Sequence, residues 1–102
     1  MSALGTELKI NVHVEPIDGY HMSDYDFECQ FYVYTNKSAT ISKADMIKVD
    51  DDNYLALITS ELAQKIGRGA IRMRLTAHIP DFDFSDGLRT EIAEVCTGVV
   101  IM

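Results

Sequence analysis

The chain of 102 residues has no tryptophan, two prolines, two cysteines, and nine basic residues against sixteen acidic ones. Each scarcity removes a class of protein. Without Trp, and with no Tyr two residues before Cys96, the packing hallmarks of antibody-type immunoglobulin domains are missing. Two cysteines, Cys29 and Cys96, allow at most one bridge, too few for a disulfide-stapled miniature fold. An inter-sheet bridge between them is one reading. Reduced thiols are the expectation, because the opening MSALGTELKI lacks the basic start and apolar stretch of a secretion signal.

The deficit of basic residues gives a formal charge of −7, which repels phosphate backbones and anionic lipid surfaces. Neither nucleic acid nor membrane is an expected partner. No apolar run approaches the ~18 residues needed to cross a bilayer, so synthesis in the cytoplasm is expected. Catalytic signatures are missing too. The sequence has no GxSxG elbow, no phosphate-cradling GxxxxGK[ST] or GxGxxG loop, and no HxxxH or HExxH spacing among His13, His21 and His78. Cys29 falls on an apolar face rather than at an electropositive helix start. We expect no enzyme, no catalytic residue, no cofactor and no metal.

What the chain does contain is regular alternation. Apolar content of 47% and charged content of 25% suit a single globular domain over residues 1–102. In ELKINVHV, Leu8, Ile10, Val12 and Val14 alternate with polar residues, as a half-buried strand requires. PIDG, residues 16–19, then reads as a turn. In YDFECQFYVYT, Phe27, Cys29, Phe31 and Val33 share one face, and Asp26, Glu28, Gln30, Tyr32 and Tyr34 the other. A turn at Asn36–Ser38, which also spells a glycosylation sequon of no weight without secretion, leads to the short pieces ATI and MIKV. Their order suggests an edge or sheet-switching segment.

DDDN, residues 50–53, reads as a solvated hairpin tip joining MIKV to YLALIT, with Asp or Asn accepting positive φ. SELAQKIG should form a short helical turn near residues 60–66, with Ser60 as N-cap and Gly67 as stop. AIRMRLTAHI alternates Ile71, Met73, Leu75, Ala77 and Ile79 with polar residues until Pro80 ends the strand. In RTEIAEVCTGVVIM the alternation breaks between Ile92 and Val95, and a bulge there would return Val95, Val99 and Ile101 to the inner face. About seven short strands and one helical turn predict an all-β, immunoglobulin-like antiparallel β-sandwich.

Two places carry candidate function. The first is IPDFDFSDGLR, residues 79–89, whose Asp81, Asp83 and Ser85 mimic the opening ligands of a calcium loop. The sixth position, however, is Asp86 instead of Gly, and the twelfth is Ile92 instead of Glu. The loop therefore reads as a turn, with a weak cation site as the alternative. Phe82 and Phe84 either pack beneath it or face solvent as a contact surface. The second place is the polar face bearing Tyr32, Tyr34, Arg72 and Arg74. Arg72 and Arg74 would pair across strands with Asp26 and Glu28, and Tyr and Arg are favoured at protein interfaces. A surface of weak ion pairs is the plainer reading of that face.

The stretch from Ala39 to Ile92, ATISKADMIKVDDDNYLALITSELAQKIGRGAIRMRLTAHIPDFDFSDGLRTEI, resembles small immunoglobulin-like proteins of phage tails and prophages. It is similar to the N-terminal domain of siphophage baseplate upper proteins. The resemblance lies in the strand pair Lys48–Asp50 and Tyr54–Leu57, the helical turn, Gly69 before a long strand, and the Pro80–Gly87 loop. It implies a non-enzymatic tail or baseplate component, made in the host cytoplasm and then built into the virion tail. Other virion proteins or self-association would supply its partners. The chain stops after one domain, without the receptor-facing portion of baseplate proteins, so an adaptor or decoration subunit fits the resemblance. A carbohydrate- or cation-dependent adhesion module using the 81–87 loop is the alternative.

Overall fold

A computed structural model describes residues 7–34 and 38–101; Asn36 and Lys37 of the expected turn lie outside the described residues. Seven strands follow in chain order: β1 (Leu8–His13), β2 (Asp26–Tyr32), β3 (Ser38–Ser42), β4 (Ile47–Asp50), β5 (Asn53–Ile58), β6 (Gly69–Pro80) and β7 (Leu88–Ile101). Among the described residues one short α-helix, α1 (Ser60–Ile66), lies between β5 and β6. The strands form two antiparallel sheets, β1-β5-β4 and β3-β2-β6-β7. The fold is thus an all-β sandwich. Its strand order matches the B-E-D and C′-C-F-G layers of an immunoglobulin-type domain, with no counterpart of the A strand among the described residues.

Alternation builds the core. On β2, Phe27, Cys29 and Phe31 are fully buried, and on β6 all five predicted positions from Ile71 to Ile79 are buried. The facing sheet contributes Ile10, Val12, Tyr54, Ala56 and Ile58. Phe27 sits at the centre, edge-on to Tyr54 at 5.3 Å and to Tyr25 at 6.0 Å between ring centroids, an arrangement aromatic quadrupoles favour. Lys43 lies 5.8 Å from the Phe27 and Tyr54 ring centroids and donates to the carbonyls of Ser23 and Tyr25. A one-turn 3₁₀ segment, Lys43–Asp45, carries the chain from the edge of one sheet to the edge of the other, the switch the sequence suggested.

The cap of α1 lies one residue earlier than expected: Thr59, not Ser60, accepts from the Leu62 N–H at 3.3 Å. Gly69 opens β6 at φ 131°, and a Cβ there would stand 2.6 Å from Val33 Cγ1. The strand crosses Val33 at that point, so only glycine fits.

The two expected turns exchange characters. Asp18 and Gly19 both have positive φ, at 51° and 83°, and Ile17 and Tyr20 exchange two backbone hydrogen bonds of 2.9 Å around them, the geometry of a two-residue primed turn. The Asp51–Asp52 turn has no positive φ. Nor is that tip simply solvated. Asp50 Oδ1 accepts from the Asp52 N–H at 2.9 Å, and the Asp51 carboxylate takes the Ser23 hydroxyl at 3.0 Å and Lys48 at 3.1 Å. His21 Nδ1 lies 2.9 Å from both Asp52 carboxylate oxygens, and His13 Nδ1 lies 3.0 Å from the Asp52 carbonyl. Side-chain bonds take the place of the special dihedrals: Asp50 holds the turn itself, and Asp51 and Asp52 fasten the hairpin to the β1–β2 connection.

Candidate functional site

β7 is rich in strand formers, and it pairs with β6 in continuous register from Leu88 to Cys96. The expected bulge between Ile92 and Val95 is not there. Register shifts further on, opposite Ala70–Arg72, where Gly98 adopts φ 79°. The physical reason lies in coverage. A bulge was needed only if Val95 had to be buried, but β7 is the edge strand of its sheet, and β1, whose Ile10, Asn11 and His13 border a pocket with Val95, Cys96 and Thr97, leaves Val95 accessible. Every residue from Thr90 to Cys96 is exposed. Ile92 is 62% exposed on the outer face and Val95 46% exposed on the inner one. Val99 packs partly against the core and Ile101 is buried, as expected.

At the start of β7, Arg89 gathers acidic groups from three places. Its Nη2 donates to Asp18 Oδ2 at 2.6 Å, and its Nη1 to Asp81 Oδ2 at 3.2 Å. Its Nε lies 3.1 Å from Glu91 Oε1 yet makes no hydrogen bond, although it is enclosed. The pair with Asp18, together with the other carboxylates, raises the Arg89 pKa further above its ordinary value. Thus the Asp18–Gly19 turn, the 81–87 loop and the edge strand are pinned to one another.

The 81–87 loop is built as a turn. The Asp81 N–H donates to the Gly87 carbonyl at 2.8 Å, and the Gly87 N–H to the Phe84 carbonyl at 2.9 Å. Asp81 and Asp86 each accept a backbone N–H two residues ahead, at 3.1 Å, so their carboxylates hold the loop's own chain. Gly87 takes positive φ, which lets the turn close. Phe82 is 91% exposed and Phe84 50%, so neither packs beneath the loop.

The polar outer face is arranged differently from expectation. Arg74 Nε donates to Glu94 of β7 at 2.6 Å, and its guanidinium carbon lies 5.9 Å from the Tyr32 ring centroid, a cation–π contact worth ~0.5–1 kcal/mol at an exposed site. Glu28 meets His78 at 3.1 Å, and Asp26 also aligns with His78. Register decides this: Tyr32 aligns with Arg72 and Gln30 with Arg74, leaving Asp26 and Glu28 too far along β2. Tyr32, Arg72 and Arg74 therefore cluster, and Tyr34 projects just beyond the end of β2, 65% exposed. Phe82 and Phe84 follow Pro80, six residues and about 20 Å further along β6 than Arg74. The six candidate residues form two patches, not one.

The cysteines lie on opposite faces of one sheet. Cys29 is inside β2, with burial pushing its thiol up to about 12, while Cys96 is exposed on β7. With β6 between them the strands stand roughly 9.6 Å apart, beyond the ~7 Å reach of a disulfide. That disposes of the inter-sheet bridge.

Sequence reasoning missed Leu88, Arg89, Glu91, Ile92 and Val95 as surface features. The signal was present in the loss of alternation, which marks a strand with no face to bury. Among the described residues no helix is long and apolar enough to cross a membrane, and no group of three or more His, Cys, Asp or Glu side chains could hold a metal ion. Comparison with protein-family models, curated proteins and solved structures finds no match.

Proposed function

We propose that this protein is a non-enzymatic assembly module, an adaptor or decoration subunit of a phage or prophage tail or baseplate. Its main contact surface is the free edge of β7 with the Phe82–Phe84 loop. One observation carries the reading: Thr90–Cys96 is exposed on both faces, and β7 has no outer neighbour among the described residues. An unpaired edge offers a row of backbone donors and acceptors to another chain, and exposed Ile92, Val95 and Phe82 add apolar area beside it. The tail or baseplate setting rests on the resemblance of Ala39–Ile92, with synthesis in the host cytoplasm before incorporation. The Tyr32, Tyr34, Arg72 and Arg74 patch supplies a second contact on the outer face.

Light scattering after size exclusion, with the products of flanking genes added singly, tests the proposal. Co-elution with a tail or baseplate protein is expected, and Ile92→Lys with Phe82→Ser should abolish it while leaving the circular dichroism spectrum native. Binding that survives both substitutions would remove β7 and the loop from the interface. The bare Phe82 beside Asp83 favours the second reading, a carbohydrate- or cation-dependent adhesion module. Saturable glycan or Ca²⁺ binding lost with Phe82→Ser, and no protein partner, would replace the assembly reading with it.

A further inference from the structure

We propose that the occupant of the β7 edge is a second copy of this chain, paired antiparallel about a two-fold axis at Thr90. This deepens the assembly reading above and rests on it. The argument is in the order of side chains. From Leu88 to Ile92 the edge reads apolar, basic, Thr, acidic, apolar. Reversed and laid beside itself with Thr90 opposite Thr90, it sets Arg89 opposite Glu91 twice and Leu88 opposite Ile92 twice. Directly opposed residues of an antiparallel pair share a face, so the two ion pairs fall on the inner side and the two apolar pairs on the outer side. Leu88 and Ile92 are both exposed in the single chain.

Other symmetric registers lose this match. Centring on Glu91 opposes two like charges, and centring on Ile92 sets Arg89 opposite Val95 and Glu91 opposite Ala93. The register centred on Thr90 places Gly87 opposite Ala93 of the second copy, which brings the Phe82–Phe84 loop alongside its neighbour. The contact is isologous and closed, joining two four-stranded sheets into one of eight strands.

A charge swap tests the register. Arg89→Glu alone and Glu91→Arg alone each set like charges opposite each other, and dimerisation should weaken roughly tenfold or more for either. Mixing the two variants sets opposite charges at both positions, so a heterodimer should form where neither variant self-associates. Because Arg89→Glu also removes the bonds to Asp18 and Asp81, a second measurement avoids it. In a Cys96→Ser background, Thr90→Cys should cross-link into dimers under mild oxidation, faster than Ile92→Cys. A wild-type chain monomeric up to sub-millimolar concentration would overturn self-pairing. So would a mixture that fails to associate, or cross-linking faster at Ile92→Cys. If such a monomer still captures a tail protein and loses it with Ile92→Lys, the assembly reading stands while the second copy is dismissed.

Discussion

β6 and β7 are neighbours in one sheet, hydrogen-bonded along most of their lengths and similar in strand propensity, yet they meet opposite surroundings. β6 alternates buried residues with exposed or partly exposed ones, whereas β7 is exposed on both faces from Thr90 to Cys96. The difference is made by cover. β6 lies inside its sheet and turns one face to the core, while β7 is the sheet's edge strand and stays accessible from Thr90 to Cys96. Backbone pairing makes a strand, but only a second layer makes one of its faces a core.

Substitutions can break that contrast. Leu75→Ala should cost about 2–5 kcal/mol in urea denaturation, since the side chain is almost wholly buried and its removal leaves a cavity. Gly69→Ala, at the point where β6 meets Val33, should cost about 1–3 kcal/mol through positive φ and the close Cβ approach. On β7, Ile92→Ala should change the stability of the dilute protein by no more than about 0.5 kcal/mol. A cost near that of Leu75→Ala would mean that β7 is covered after all.

The pH dependence of stability should also come from the body and not from β7. His13 and His21 have pKa values raised above 6.5, by the hydrogen bonds to Glu15 and to Asp52 respectively. A raised folded-state value stabilises fully below 6.5 and is lost as pH rises through it. Asp50 and Asp51 are lowered below 3.8, by hydrogen bonds from Asn53 and Lys48 respectively, so their contribution holds above 3.8 and fades as pH falls through the lowered values. The melting temperature should therefore decline from about pH 6 to 8. His13→Gln with His21→Gln should flatten that decline. A small effect is also expected from Arg74→Ala, within ~1 kcal/mol, because its pair with Glu94 is solvent-exposed.

Much of the molecule was legible in the order of residues. The inner faces of β2 and β6, the helix near Ser60–Ile66, the sheet switch after β3 and the Gly87 turn all follow from local periodicity and backbone preference. The candidate site was legible only in part. Arg72, Arg74 and Tyr32 do share a face, because side-chain parity is a local property. Their partners were not predictable, because pairing depends on the register between strands distant in sequence. The bulge expected to return Val95 to the core is missing and Val95 lies exposed, since a sequence does not say how far the opposite sheet covers a strand.

IPDFDFSDGLR shows the same division. Its own residues determined the turn: Asp81 and Asp86 bind the backbone two residues ahead, and Gly87 accepts positive φ, all within one short segment. Tertiary structure decided what the turn is for, tying Asp81 through Arg89 to the distant Asp18 and leaving Phe82 and Phe84 in solvent beside a free edge. Local dihedral and hydrogen-bond preferences act within a few residues, whereas exposure depends on which layer covers which, and only the assembled sandwich determines that.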